Sequence, residues 1–168
     1  SGTGMVVWNN GTGLSYMTFN PVTGTWSAAA TISAYTGAEP QRMQIASNPN
    51  GDGMVLVISD ANASDRALVW DGNSWGNPQT LDSGTNGEYY QKLGVSVAYE
   101  SQSGRALVFY VKDNTSTLFY KILGSNGVWD TTEYNTPFSA PGQTYAIVTA
   151  SDPGSNRIAV GAIDLTVI

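Results

Sequence analysis

Three copies of one short segment decide the fold of this chain: IASNP at residues 45–49, VAYES at 97–101 and TASDP at 149–153. The copies begin at positions 45, 97 and 149, so each step is 52 residues. Each copy leads into a turn of Gly, Ser and Asn residues and then into an apolar stretch. A constant step of this length indicates a repeat protein, in which each unit is one supersecondary structure packed on the next.

The second unit shows most clearly how each repeat is built. Apolar and polar residues alternate with period 2, and the clusters Asn50-Gly51-Asp52-Gly53 and Asp71-Gly72-Asn73 have the composition of hairpin turns. Four short antiparallel strands in about 50 residues are the size and content of a propeller blade. The pattern predicts strands at residues 43–47, 54–59, 66–70 and 74–81.

We therefore predict an all-β fold of β-propeller-like, four-stranded antiparallel blades, about three blades plus extra strands, in a single domain over residues 1–168. Residues 54–58 and 106–111 are almost continuously apolar, as expected for middle strands that are covered on both faces. A β-sandwich is the alternative, but it gives no reason for the constant step. The predicted units are whole blades at 41–82 and 92–135 and partial blades at 1–36 and 144–168.

Composition excludes several classes of function. The chain has neither Cys nor His, so Cys/His zinc sites, thiol catalysis and a Ser-His-Asp triad are absent, and we expect no cofactor. The net charge of −6, with seven scattered Lys and Arg residues, provides no basic surface for phosphate contacts and argues against nucleic acid as a partner. No apolar stretch is long enough to span a membrane. A charge-poor surface rich in Ser, Thr and Asn favours an extracellular or cell-surface location.

Three N-glycosylation acceptor sequences recur in register with the repeat. They begin at Asn10, Asn62 and Asn114, again 52 residues apart, and each falls on the turn between the second and third strands of its unit. The spacing predicts glycans along one rim, where they remain solvated. The alternative interpretation is that Asn with Ser or Thr is ordinary turn chemistry copied with the repeat.

A tryptophan recurs in the other half of the unit, in the pairs Thr25-Trp26, Ser74-Trp75 and Val128-Trp129. These hairpins resemble the Asp-box hairpins of sialidase-like propellers and the Gly-x-x-Trp hairpins of fungal and bacterial fucose-lectin propellers. An Asp-box has Asp five positions before the Trp and Gly three before it. Here the first place holds Pro21, Trp70 and Gly124, and only Gly72 fills the second. The resemblance therefore implies the fold more than an activity.

The recurring aromatic residues are candidates for sugar binding. Trp26, Trp75 and Trp129, with Tyr16 and Tyr120 one strand earlier, have ring faces that suit the apolar faces of hexoses. The alternative, which we favour, is that these rings seal one blade against the next.

Two further candidate sets are weaker. Resemblance to fucose lectins would imply an Arg and a Glu repeated with the Trp. Arg105 and Arg157 lie 52 residues apart, but the second unit has Gly53 at the equivalent position. The glutamates do not recur with the repeat: Glu39, Glu88, Glu100 and Glu133 share no register. The second set is a calcium site, for which Asp60, Asp65 and Asp113 offer oxygen ligands.

Two functional hypotheses follow from these patterns. The first is a non-enzymatic extracellular structural module that self-associates through the edges of its sheets. The second is a lectin-like propeller that binds carbohydrate through the tryptophans between blades. Catalysis is not expected, because no recognisable constellation of catalytic groups accompanies the repeat.

Overall fold

The computed structural model describes residues 3–84, 94–112, 115–139 and 143–165, and every helix or strand assigned within these ranges is a β-strand. The strands form four separate antiparallel sheets, which follow one another along the chain. This is the predicted all-β fold of propeller-type blades. The alternative of two large sheets facing each other is not what these residues build. Within the described part of the chain, no helix has the length and hydropathy that a membrane span needs.

Sheet I contains the first four strands of the chain. The third and fourth strands are very short and pair with different halves of the second strand, so together they occupy the place of one broken outer strand. The strands are β1 (Gly4–Asn9), β2 (Leu14–Asn20), β3 (Thr25–Trp26) and β4 (Ala30–Thr31).

Sheet II is a complete four-stranded blade whose strands pair in sequence order. All four predicted strands are confirmed, with bounds that differ by at most three residues. The first begins earlier than predicted, and its pairing with the second shifts register between Pro40 and Arg42. The strands are β5 (Pro40–Ser47), β6 (Met54–Asp60), β7 (Asp65–Trp70) and β8 (Trp75–Asp82).

Sheets III and IV continue the array. Sheet III again has four strands in sequence order, and sheet IV has two within the described residues. Trp129 precedes the last strand of sheet III and forms an isolated bridge with Leu123. The strands are β9 (Val95–Tyr99), β10 (Ala106–Val111), β11 (Thr117–Leu123), β12 (Tyr134–Ser139), β13 (Gln143–Ser151) and β14 (Ile158–Leu165).

The core consists of three apolar layers, one between each pair of successive sheets. Alternate residues of β6 point to opposite sides: Leu56 and Ile58 enter the layer shared with sheet I, and Val55 and Val57 enter the layer shared with sheet III. All four side chains are buried. This explains why the middle strands are apolar without alternation, since each is covered on both faces. The third layer joins sheets III and IV and includes Phe109, Val111, Leu118 and Ile147.

Hydrogen bonds between successive sheets repeat with the same step as the sequence. The side-chain amide of Asn50 donates to the backbone carbonyl of Gln102 at 3.2 Å, and the amide of Gln102 donates to the carbonyl of Gly154 at 2.9 Å. Both contacts join turns between the first and second strands of neighbouring sheets. Sheets II and III and sheets III and IV are therefore joined by equivalent hydrogen bonds at these turns.

Candidate functional site: a cleft between the second and third sheets

Trp75 and Tyr16, two of the predicted aromatic residues, lie in the layer between sheets I and II. The centroid of the Trp75 ring is 5.7 Å from that of Trp70 and 6.4 Å from that of Tyr16. Trp75 is only 9% exposed. The buried ring of Trp75 offers little surface to a sugar, and Tyr16 is half-buried against the same apolar layer. Both residues therefore act in packing between sheets, which is the alternative favoured above.

Trp129 is half-buried and contacts the preceding sheet through a hydrogen bond. Its indole Nε1 donates to the backbone carbonyl of Asn77 at 3.1 Å, and the side-chain amide of Asn77 donates to the carbonyl of Gly127 at 2.7 Å. These two contacts join the outer hairpin of sheet III to β8 of sheet II. We call the pair the Asn77 latch. It holds together the two sides of the cleft described below.

Trp26 and Tyr120 have surroundings of their own. Trp26 is 50% exposed and packs against Phe19, with ring centroids 5.2 Å apart. Tyr120 is half-buried and stacks on Tyr134, with ring centroids 5.0 Å apart and planes 17° from parallel. The structure therefore does not gather the five predicted aromatic residues into one site.

A cleft of about 410 Å³ opens instead between sheets II and III, at the end where the first two strands and the last two strands of each sheet are joined. This volume lies within the usual range of small-ligand pockets, roughly 300 to 1,000 Å³. The floor is apolar, and glycines and polar turn residues form the walls. The lining consists of Asn48, Gly53, Val69, Trp70, Asp71, Gly76, Asn77, Tyr99, Gly104, Leu123, Gly124, Ser125, Asn126 and Gly127.

The five glycines leave backbone groups close to the cleft. Asn48 and Asn126 each use the side-chain carbonyl to cap their own turn, accepting from the backbone N–H of Asn50 at 2.9 Å and of Val128 at 3.1 Å. Their NH₂ groups therefore have capacity to donate to a ligand. Neutral donors and acceptors of this kind match the hydroxyl groups of a sugar.

The cleft is electrostatically almost neutral. Asp71 is the one acidic or basic side chain among the described residues that line it, and the backbone N–H groups of Ser74 and Asn73 both donate to its Oδ1 at 2.8 Å. These hydrogen bonds keep the pKa of Asp71 below its ordinary value. Burial raises the pKa of Tyr99 to about 12, so its phenol remains protonated at neutral pH. The described lining therefore has no cation for an anionic ligand.

A smaller cleft of about 290 Å³ opens at the same end of sheet II, beside Thr3, the residue before β1. Three residues of its lining are equivalent to residues that line the larger cleft, 52 or 53 positions later in the chain. The pairs are Asp52 with Gly104, Trp70 with Leu123, and Gly72 with Ser125. Sheet II therefore contributes to the smaller cleft residues equivalent to those that sheet III contributes to the larger one. The sequence did not predict either cleft, because their linings are mostly turn residues and glycines, which have no side-chain pattern of their own.

The repeated arginines belong to hairpin turns. Arg105 donates from Nε and Nη2 to the two carboxylate oxygens of Glu100 at 2.7 and 2.9 Å, and Arg157 donates to Asp152 at 3.2 Å. Burial alone would raise the pKa of Glu100, but hydrogen bonds from Arg105 and Ser103 outweigh it, so the pKa lies below its ordinary value. An acid does repeat at 52 residues, as Glu100 and Asp152. A comparison of glutamate positions alone misses this repeat, because the residue equivalent to Glu100 is an aspartate, Asp152.

Two of the three calcium candidates, Asp60 and Asp65, have hydrogen-bond partners within the protein. Asp60 accepts hydrogen bonds from the backbone N–H groups of Asn62, Ser64 and Ala38, at 2.9 to 3.1 Å, which occupy both of its oxygens. Asp65 accepts from the hydroxyl of Ser59 and is fully buried. Asp113 lies outside the described residues. Among the residues that are described, no group of three or more acidic side chains is placed to hold a metal ion.

Two of the three predicted glycosylation sites, Asn10 and Asn62, lie at the opposite end of the sheets from the cleft. Asn10 and Asn62 are exposed in the turns that join β1 to β2 and β6 to β7. The carbonyl of Asn10 accepts from the N–H and hydroxyl of Thr12, and its amide donates to Ser15 at 2.7 Å. Asn114 lies outside the described residues. Their occupancy stays a prediction.

Comparison with known proteins shows similarity of fold alone. No protein-family model matches the chain, and no curated protein matches its sequence. Among solved structures, the chain is similar to the NanB sialidase from Streptococcus pneumoniae in complex with 2-[(3-chlorobenzyl)ammonio]ethanesulfonate, with a TM-score of 0.58 and 15% identity over 94% of this chain. It is also similar to AofleA from Arthrobotrys oligospora, with a TM-score of 0.56 and 13% identity over 98% of this chain.

A third structure is the SapL1 lectin in complex with alpha methyl fucoside, with a TM-score of 0.47 and 17% identity over 92% of this chain. The chain covers 25% of the sialidase chain, 54% of AofleA and 57% of SapL1. It therefore spans between a quarter and somewhat more than half of the structures it matches. The similarities to the sialidase and to AofleA support a fold of propeller-type blades, as the sequence predicted.

Proposed function

We propose that this chain is a carbohydrate-binding module of the propeller type, and that it binds a neutral sugar in the cleft between sheets II and III. The observation that carries the proposal is the described lining of that cleft. It combines an apolar floor, five glycines whose backbone lies beside the cleft, and amide and hydroxyl side chains, with Asp71 as its one charged residue. Such a surface complements a ligand that is rich in hydroxyl groups and has no charge.

The similarity of the fold to a sialidase is compatible with carbohydrate binding, but the residues favour a binding module over an enzyme. A carboxylated sugar requires cations, and the residues described around the cleft include none. Arg105 and Arg157 are each paired with an acid of their own hairpin, and Arg42 donates from Nη2 to the backbone carbonyl of Ile147 at 3.1 Å. These three arginines are distributed over separate sheets and form no cluster around the cleft.

An extracellular or cell-surface location accords with this function. The exposed Asn10 and Asn62 acceptor sites lie at the end away from the cleft, so glycans there would leave the cleft open. A lectin-like module also meets most complex glycans outside cells. We propose the location on these grounds.

Filling the cleft tests the proposal. Gly76 has an ordinary negative-φ backbone, and a Cβ placed on it would meet no atom within 4 Å. It pairs with Val69, which faces sheet III, so its Cβ is directed into the cleft. Gly76→Leu should therefore block a sugar without distorting the sheet. We expect binding of neutral glycans, measured on a glycan array and by titration calorimetry, to fall at least about tenfold, the equivalent of roughly 1.4 kcal/mol.

Gly13→Leu is the matched control. Gly13 also has open space around its Cβ and no positive φ, but it lies in a turn at the opposite end of sheet I. This variant should bind sugar as the unmodified chain does. Binding restricted to sialylated or sulfated glycans, or a Gly76→Leu variant that binds normally, would contradict the proposal.

A further inference from the structure

One face of sheet I is apolar and open to solvent. Residues paired directly across neighbouring strands point to the same side of a sheet. The pairs Val6 with Met17, Phe19 with Trp26 and Trp8 with Ser15 therefore place five large apolar side chains on the side that faces away from sheet II. Val6 is 42% exposed and Trp26 is 50% exposed. We call this set the front face: Val6, Trp8, Met17, Phe19 and Trp26.

The corresponding face of sheet II is buried. In sheet I, Phe19 pairs with Gly4 on one side and with Trp26 on the other; in sheet II, Trp70 pairs in the same way with Met54 and Trp75. By this register, five residues of sheet II are equivalent to the front face. Their side chains pack against sheet I, and each is at most 9% exposed. These are Leu56, Ile58, Leu68, Trp70 and Trp75.

The opposite end of the array carries a second apolar surface, on sheet IV. Ile147 and Thr149 of β13 face sheet III, where the hydroxyl of Thr149 donates to the carbonyl of Val97 at 2.9 Å. Val148 and Ala150 therefore point the other way, together with their partners Gly161 and Ala159. Val148 and Ile163 are 59% and 58% exposed. We call this set the back face: Val148, Ala150, Ala159, Gly161 and Ile163.

We propose that the front face of one copy of this chain packs against the back face of a second copy. The chain already forms this kind of contact between sheets I and II, II and III, and III and IV, and in each case the front side of one sheet meets the back side of the sheet before it. The two exposed faces are thus the two halves of an interface that the chain builds repeatedly. Neither face contains a charged residue.

The sizes of the side chains also fit a front-to-back contact. The front face presents Met, Phe and two Trp residues, whereas the back face is formed by Val, Ala, Gly and Ile. Sheet II has the same asymmetry: its front side has Trp70 and Trp75, and its back side has Val55, Val57 and Ala67. Large residues on one surface and small residues on the other interdigitate well, while two front faces would place bulky rings against each other. The contact is therefore heterologous, joining two different surfaces.

The experiment measures association by light scattering and analytical ultracentrifugation. Val6→Glu places a charge on the front face, and Ile163→Glu places one on the back face. Both positions are exposed in a single copy, so folding is expected to be unaffected, and circular dichroism checks this. Because a buried unpaired charge is strongly unfavourable, each variant should raise the dissociation constant at least about a hundredfold. Val22→Glu is the control, since Val22 is 91% exposed in a turn outside both faces.

Mixing the two variants separates a front-to-back contact from other modes. Each variant alone should be monomeric, but the mixture should form a 1:1 dimer through the intact back face of Val6→Glu and the intact front face of Ile163→Glu. Self-association of Ile163→Glu alone would show front-to-front packing and overturn the proposal. So would a wild-type chain that remains monomeric up to about 1 mM, the range of very weak binding. The outcome is independent of sugar binding, because neither variant lies in the cleft.

Discussion

At the scale of single residues, equivalent tryptophans differ because their neighbours differ. Trp75 and Trp26 occupy the same place in the register of their sheets, each paired with an aromatic residue of the preceding strand. Trp75 is covered by Tyr16 of sheet I, whereas Trp26 lies on the exposed front face. Identical positions in a repeat therefore contribute differently to stability, since the contribution depends on the apolar area that is buried.

We expect Trp75→Ala to lower the free energy of unfolding by about 3 to 5 kcal/mol, the usual cost of removing a buried aromatic side chain. Trp26→Ala should lower it by about 1 kcal/mol, because half of the ring is already exposed and the substitution removes only its packing against Phe19. Urea denaturation of the two variants gives both values. Equal decreases would mean that the two rings have similar surroundings, contrary to the structure.

Asn77 is the residue on which the latch between sheets II and III depends. Its φ of +46° is uncommon for a residue other than Gly, although Asn tolerates it better than most. Asn77→Ala should lower the free energy of unfolding by about 1 to 3 kcal/mol, because Ala cannot donate the hydrogen bond to Gly127 and is disfavoured at positive φ.

Asn77→Gly separates these two causes. Glycine accepts the positive φ and keeps the carbonyl that receives the Trp129 N–H, so it should cost less than Ala. Thermal and urea unfolding of both variants provide the measurement. If Gly is as destabilising as Ala, backbone strain is irrelevant at this position and the side-chain hydrogen bond accounts for the effect.

At the scale of elements, the structure explains why the turns carry the site. The strands of each sheet are committed to the apolar layers, so few polar groups remain on them. The hairpin turns lie outside these layers, so their residues can be polar. Asx caps fix the conformation of the turns at Asn48, Asp71 and Asn126. The repeat then brings turns of neighbouring sheets together around a cleft. A rigid arrangement of sheets thereby positions a variable polar surface.

At the scale of the whole molecule, stability at and below neutral pH should depend on pH only at the acid end. Within the described part of the chain, hydrogen bonds and nearby cations hold the pKa values of five carboxyl groups below their ordinary values of 3.8 and 4.5. A carboxyl whose pKa is lower in the folded state stabilises the fold above its ordinary pKa, and this stabilisation disappears as the pH falls through the folded value. The five groups are Asp71, Glu100, Asp130, Glu133 and Asp152.

The chain has no histidine, so we expect the free energy of unfolding to be nearly constant between about pH 6 and 8 and to fall below about pH 4.5. Urea denaturation at a series of pH values checks this. Glu100→Gln should make the fall shallower, because it removes one of the five titrating groups. A marked decrease in stability between pH 8 and 6 would contradict the expectation.

The sequence by itself determined the repeat, the four-stranded unit and the strands of sheet II. This was possible because strand period and turn composition are local properties, and the step of 52 residues records how they are copied. The break of the outer strand of sheet I into β3 and β4 was not visible, since it depends on pairing with β2.

Only the tertiary structure decided which aromatic residues are buried, where the cleft opens and which faces remain exposed. Each of these depends on contacts between units: Tyr16 covers Trp75, and Asn77 accepts a hydrogen bond from Trp129. The repeat pattern does not indicate which sheet lies next to a given copy. Burial is a property of the space between sheets, and residues far apart in the chain define that space. Local sequence therefore specified the blade, and the packing of blades specified the site.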